Sequence, residues 1–130
     1  MKQREALELM LWSDQHRSCA VCWWPSFDYS RDMEVHHIVG GANRAKGHKV
    51  FNYLKLCDRC HQVYHSGKVA ANVPPLTMGH LLTAKKESDE ENFDLEKLAK
   101  LKNRKALHWD PEPIPQFYLD ERVENTRRMP

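Results

Sequence analysis

No apolar run in the chain is long enough to span a bilayer. The opening residues, MKQREALELMLWSDQH, carry too many charges for a secretory signal. Both absences point to a cytoplasmic setting without a membrane partner. In a reducing compartment paired cysteines favour metal over disulfides. Internal repeats are missing, and so is a strong overall charge: a net +2 over 130 residues says little about partners. Local absences say more. From Glu87 to Glu96 there are six acids and no Lys or Arg. From Arg31 to Lys68 only three acids stand against seven bases. Positive charge therefore gathers in the stretch that holds most of the Cys and His residues, as a polyanion-binding site requires. Hydrophobic residues make up 41% of the chain, many of them in charged, helix-like segments. The expected core is modest, and modest cores often need a metal or disulfide staple.

Four cysteines form two pairs, Cys19/Cys22 and Cys57/Cys60, each C-x-x-C, separated by 34 residues. The second pair stands in Cys57-Asp-Arg-Cys-His-Gln-Val-Tyr-His65. Read as C-x-x-C-H, this is a c-type haem attachment signature. Haem attachment is usually a feature of exported proteins, and one haem would leave Cys19 and Cys22 unexplained. Two redox dithiols would need a thioredoxin-like βαβ setting, which neither pair has. Four thiolates closing a tetrahedral structural zinc site account for both pairs.

The periodicities give an α+β chain in three parts: an N-terminal helix within 1–16, a zinc-stapled core over 17–73, and a helical extension with a proline-rich tail over 74–130. Lys2 to Ser13 reads as a helix with Ala6, Leu7, Met10 and Leu11 as a core-facing stripe. Trp23 and Trp24 are expected to pack beside the first zinc knuckle rather than to stack on bases. Met33 to Val39 reads as a strand, Gly40-Gly41 breaks it, and a polar loop leads to a second strand over Val50 to Leu56. Asp58 to Ser66 reads as a short helix ended by Gly67. Beyond Pro74-Pro75, helices are expected over Thr77 to Lys86 and Asp94 to Arg104, with Ser88-Asp-Glu-Glu91 as a capping box. The tail from Asp110 is expected to run extended or disordered.

Among the histidines, His16, His48, His80 and His108 read as structural. His36 and His37 are adjacent on a strand, so their side chains point to opposite faces. His61 and His65 are four apart on a predicted helix, hence on one face and able to share an ion. The stretches Glu34-Val-His-His-Ile-Val-Gly-Gly41 and Phe51-Asn-Tyr-Leu-Lys-Leu-Cys-Asp-Arg-Cys-His61 resemble the HNH endonuclease motif in its four-cysteine, zinc-stapled form. The resemblance covers about residues 17 to 67 and implies a ββα-metal core holding one catalytic divalent ion. It implies that His37 is the general base and that Asn52 pins the loop between the strands. It makes His36 and His61 metal ligands, and His65 either a third ligand or a contact to phosphate or solvent. Gly40-Gly41 stands where the family often has Pro.

Phosphodiester hydrolysis needs a deprotonated water and charge neutralisation at the leaving oxygen. Histidine, with an ordinary pKa near 6.5, can supply the base. Arg44, Lys46, Lys49 and Arg59 are candidates to hold flanking phosphates, which fixes position without reading sequence. The expected cofactors are a structural zinc and one catalytic Mg, Mn, Ni or Zn ion; imidazole ligands favour the transition metals. No base-reading helix stands out, so nicking or weakly specific DNA cleavage is expected. The alternative is a non-catalytic zinc-stapled nucleic-acid-binding module, which has no use for His36, His37, Asn52 and His61 together. The resemblance extends the expected setting to bacterial or phage-infected cells, and the expected partners to phage DNA-packaging apparatus.

Overall fold

Two five-residue strands, β1 (Met33–His37) and β2 (Tyr53–Cys57), pair antiparallel, with Met33 opposite Cys57 and His37 opposite Tyr53. This hairpin is the frame of a computed structural model that describes residues 2–40, 47–66, 72–101 and 110–128. One hydrogen bond beyond the ladder, Ile38 N–H to Asn52 C=O at 2.9 Å, carries the pairing up to the loop. A 3-10 turn, Val50–Asn52, leads into β2 where a longer strand was expected. Helix α2 (Asp58–Ser66) starts directly at the end of β2 and has the expected bounds.

Every residue of β2 is buried, Lys55 included. Its Nζ reaches back to helix α1 (Gln3–Gln15), donating to the Ser13 hydroxyl at 2.5 Å. On the other side, the first cysteine knuckle docks through Ala20 N–H to Lys55 C=O at 2.8 Å. A strand covered on both faces does not alternate in polarity.

Helix α1 departs from its expected packing. Ala6, Leu7, Met10 and Leu11 are exposed, the last three at 56%, 62% and 56%, and Trp12 is the buried residue of the helix. The reason is polar. Trp12 Nε1 donates to the Asp89 carboxylate at 2.8 Å, and its indole stacks on His16 with centroids 4.3 Å apart. The helix is thus anchored at its C-terminal end by one aromatic, which turns the aliphatic stripe outward. His16 and His80 take structural roles, as expected. His16 lies 3.5 Å from Asp89, and His80 helps to cap the helix in whose first turn it stands.

That helix, α3 (Met78–Ser88), has Thr77 as its N-cap, whose hydroxyl accepts from His80 N–H at 3.3 Å while His80 Nδ1 accepts from Thr77 N–H at 3.0 Å. Gly79 permits the extended segment from Asp110 to lie against it: a Cβ there would sit 2.8 Å from the Asp110 carbonyl oxygen. The capping box expected at Ser88 does not form. Ser88 is the last residue of α3 and bonds back to Ala84 C=O, and a 3-10 turn over Glu90–Asn92 follows. Helix α4 is described over Leu95–Leu101, with Leu98 and Leu101 buried.

The tail gives the largest correction. Residues 110–115 run extended, but Gln116–Arg127 forms a helix, α5, with Tyr118, Arg122 and Asn125 buried. Arg122 Nε donates to Val21 C=O at 2.7 Å, and Asn125 Nδ2 donates to Cys22 C=O at 2.8 Å. The helix saturates carbonyls of the first knuckle that would otherwise be buried without partners. A single core cluster joins the four cysteines with Ile38, Leu54, Leu56, Leu81, Leu82, Leu98, Ile114 and Tyr118. The extension therefore covers the core. Among the described residues no helix is long and apolar enough to cross a membrane.

Candidate metal centres and catalytic site

Two groups of metal-ligating side chains come together, and they sit on different parts of the hairpin. Cys19, Cys22, Cys57 and Cys60 are all buried, with their sulfurs within 4.8 Å of one another. Cys22 and Cys57 Sγ atoms are 3.7 Å apart. Two thiolates bound to one zinc at about 2.3 Å in a tetrahedron sit about 3.8 Å apart, so the cluster fits the ion. Four buried sulfurs cannot all ionise without a cation. Hydrogen bonds from Cys19, Cys22 and Cys60 hold the Cys57 thiol far below its ordinary range, and Cys22 and Cys60 are pushed up by the same contacts.

Positive charge surrounds the thiolates. Arg31 donates to Cys22 and Cys57 Sγ, each at 3.8 Å, and Arg59 donates to Cys60 Sγ at 3.5 Å. Of the two tryptophans after the knuckle, Trp24 packs partly buried against the core as expected, while Trp23 is exposed at 40%. The Arg31 guanidinium lies 3.9 Å from the Trp24 ring centroid, and that of Arg122 lies 4.8 Å from Trp23. Trp23 takes a left-handed backbone, φ 65°, at the turn that brings Trp24 C=O back to Cys19 N–H at 2.9 Å.

The second group is His36, His61 and His65, whose ligating nitrogens also lie within 4.8 Å of one another. Strand β1 supplies His36 and helix α2 the other two, one turn apart. His61 and His65 face each other through their Nε2 atoms at 2.9 Å. Two such lone pairs repel unless a proton or an ion stands between them. His36 Nε2 is buried with no hydrogen-bond partner, the orphaned donor atom that a ligand site predicts. Burial first, then the neighbouring imidazoles of His61, His65 and His37, lowers the His36 pKa to about 3. The ring is neutral at cellular pH and keeps its lone pair for an ion. Glu34, which the sequence reading passed over, forms an ion pair with His61 Nδ1. A carboxylate there orients the ring and leaves Nε2 for the metal. Its position two residues before His36 on the same strand, hence on the same face, was the available signal.

His37 faces the other way. Its ring stands perpendicular to Tyr53 with centroids 5.2 Å apart, and its Nε2 is 3.2 Å from His48 Nδ1. His48, expected to be merely structural, is thus a neighbour of the candidate base. Asn52 is fully buried. Its Oδ1 accepts from Val39 N–H at 2.8 Å, and its Nδ2 donates to Val39 C=O at 3.0 Å and Gly47 C=O at 3.1 Å. The side chain ties together the two ends of the loop that begins just after His37.

The candidate phosphate-binding residues divide. Arg44, Lys46 and the remainder of 41–46 lie outside the described residues, as does His108. Lys49 is exposed. Arg59 is largely buried and bonds the Glu121 carboxylate on α5 through both terminal nitrogens, NH1 at 2.9 Å, so its charge is spent inside the fold.

With this geometry in place, comparison with known proteins is informative. The HNH endonuclease family model matches residues 19–67, from the first zinc-knuckle cysteine to just past α2. The match extends the resemblance carried by the motifs to the whole of this segment. A protein of Acanthamoeba polyphaga mimivirus that bears the name DNA mismatch repair protein mutS homolog is 27% identical over 110 aligned residues. The alignment covers 69% of this chain and 10% of that protein, so the chain spans about a tenth of its relative's length. No solved structure matches the chain significantly. The family matched is one of endonucleases, and the match suggests a nuclease or nucleic-acid-binding function for this segment.

Proposed function

We propose that the HNH domain is a metal-dependent endonuclease that hydrolyses DNA phosphodiester bonds, nicking or cutting with weak sequence preference. The observation that supports it most is the division of labour between adjacent histidines. His36 aims an unpartnered nitrogen at His61 and His65, while His37, on the opposite face, is held by Tyr53 and His48. A divalent ion held by His36, His61 and His65 would supply charge neutralisation at the phosphate and the leaving oxygen. His37 takes the proton of the attacking water at Nε2, and His48 is the nearest group able to pass it on. Asn52 holds the loop ends so that His37 keeps its orientation. Exposed Lys49, with Arg44 and Lys46, binds flanking phosphates through charge alone, which accounts for weak specificity.

The test is supercoiled plasmid incubated with the protein in magnesium, manganese, nickel or zinc, each with an EDTA control. Nicked circles should accumulate with at least one metal and vanish with chelator. Plasmid that is retarded in a gel yet uncut under every metal would move the domain to a zinc-stapled nucleic-acid-binding module.

A further inference from the structure

Lys85 is an unusual residue for a protein interior: it is fully buried, on helix α3, outside the HNH segment. Its ammonium has three acceptors. Nζ donates to Val50 C=O at 2.8 Å, to Tyr53 C=O at 2.7 Å and to Asp89 Oδ2 at 2.5 Å. The two carbonyls bracket Asn52, whose side chain clamps the loop after His37. Tyr53, in turn, is the register partner of His37 and packs edge-on against its ring. Asp89 supplies the counter-charge and is fixed by Trp12 Nε1 of α1 and by Asn92 Nδ2 at 2.9 Å.

A buried charge needs full satisfaction or it destabilises the fold, and an apolar residue of similar volume is often at least as stable. Lys85 is therefore a poor device for stability alone. Its donors meet backbone at the one junction that sets both the clamp and the wall behind the base.

We propose that Lys85 is a positioning residue for the nuclease centre, holding the Val50–Tyr53 backbone so that Asn52 and Tyr53 fix the loop and ring of His37. The role in catalysis rests on the endonuclease reading; the role in fixing the Asn52 clamp does not. The extension beyond the HNH segment then completes the site as well as covering the core.

Two substitutions separate positioning from stability. Lys85→Met removes both carbonyl bonds. Asp89→Asn removes the counter-charge and leaves the bonds to Val50 and Tyr53 in reach. Each is compared with wild type by thermal unfolding, by amide hydrogen exchange at Val39, Leu54 and Leu56, and by steady-state plasmid cleavage well below either midpoint. Both should lower Tm. Only Lys85→Met should lose protection at Val39, by about tenfold more than at Leu54 and Leu56, because the Val39 amide reports the clamp directly. Only Lys85→Met should lower kcat, by roughly 10- to 100-fold with KM little changed, as for a small misplacement of a catalytic group. Should Lys85→Met not fold, Lys85→Gln, which cannot reach both carbonyls, takes its place with the same two outcomes. Loss of Val39 protection and kcat in equal measure in both variants, following Tm, would overturn the proposal. So would wild-type behaviour of the Lys85 variant. If the wild-type protein cuts under no metal, the endonuclease reading fails by itself, and exchange at Val39 still decides what Lys85 does.

Discussion

His37→Ala should lower the rate of plasmid cleavage by about 10²- to 10⁴-fold, the range for losing a positioned general base. DNA retention, zinc content and the folded state should survive. His37 is half-buried at the loop side of β1, where it meets the Tyr53 ring edge and His48. Truncation there removes the ring contacts to Tyr53 and His48 and leaves the ligand groups of both metal clusters in place. His36 points to the opposite face, so metal binding by the three histidines should persist. The pair of readouts is decisive because the two alternatives differ in one respect. A binding module loses nothing when His37 is removed, whereas a nuclease loses turnover and keeps affinity. Equal cutting by wild type and variant would assign the base to another residue or the activity to a contaminant.

The second large effect is removal of the structural metal. Zinc stripped from the cysteine cluster should abolish cooperative unfolding, and Cys57→Ser should do the same. All four sulfurs are buried and belong to the single core cluster that also includes Leu54, Leu81 and Tyr118. Zinc contributes about 10–16 kcal/mol of apparent binding energy to zinc-finger peptides, while whole domains are stable by about 5–15 kcal/mol. The metal-free chain therefore has little left to hold it. The Arg31 guanidinium, placed against Cys22 and Cys57 Sγ, loses its counter-charge if those thiolates take up protons in place of the metal. The check is tryptophan fluorescence and circular dichroism followed during chelation, with released zinc measured in parallel. Retention of a sharp thermal transition after complete zinc release would show that the apolar core suffices.

What could be read from the sequence was the chemistry, because ligand spacing survives without knowledge of packing. The C-x-x-C pairs, the adjacent histidines and the i, i+4 pair on α2 each specify a local geometry, and each geometry is present. The two strands were legible as well, from their β-leaning residues and the glycine break between them, whereas the shift of the second strand to Tyr53–Cys57 was not. Packing was less so. The α1 stripe has the right period for a core face, but the helix is held by Trp12 and Asp89, 77 residues apart in sequence. Helix α5 buries a tyrosine, an arginine and an asparagine, so no apolar stripe announces it behind three prolines. Arg59 looked like a phosphate ligand because Glu121, its partner, lies 62 residues away. The contacts that bring His48 to His37, and Lys85 to Val50 and Tyr53, are ones that only tertiary structure creates. Long-range polar pairs are the common factor, and they leave no periodic trace.

In the proposed mechanism, cleavage depends on occupancy of the histidine cluster by a labile divalent ion. The direct measurement is cobalt or nickel binding, by titration calorimetry and metal analysis, to zinc-loaded wild type and to His36→Ala. Wild type should take up one further equivalent beyond the zinc held by the cysteines, and His36→Ala should not, with both keeping their zinc. Equal uptake by the two proteins, or none by wild type, would contradict a metal centre built from His36, His61 and His65.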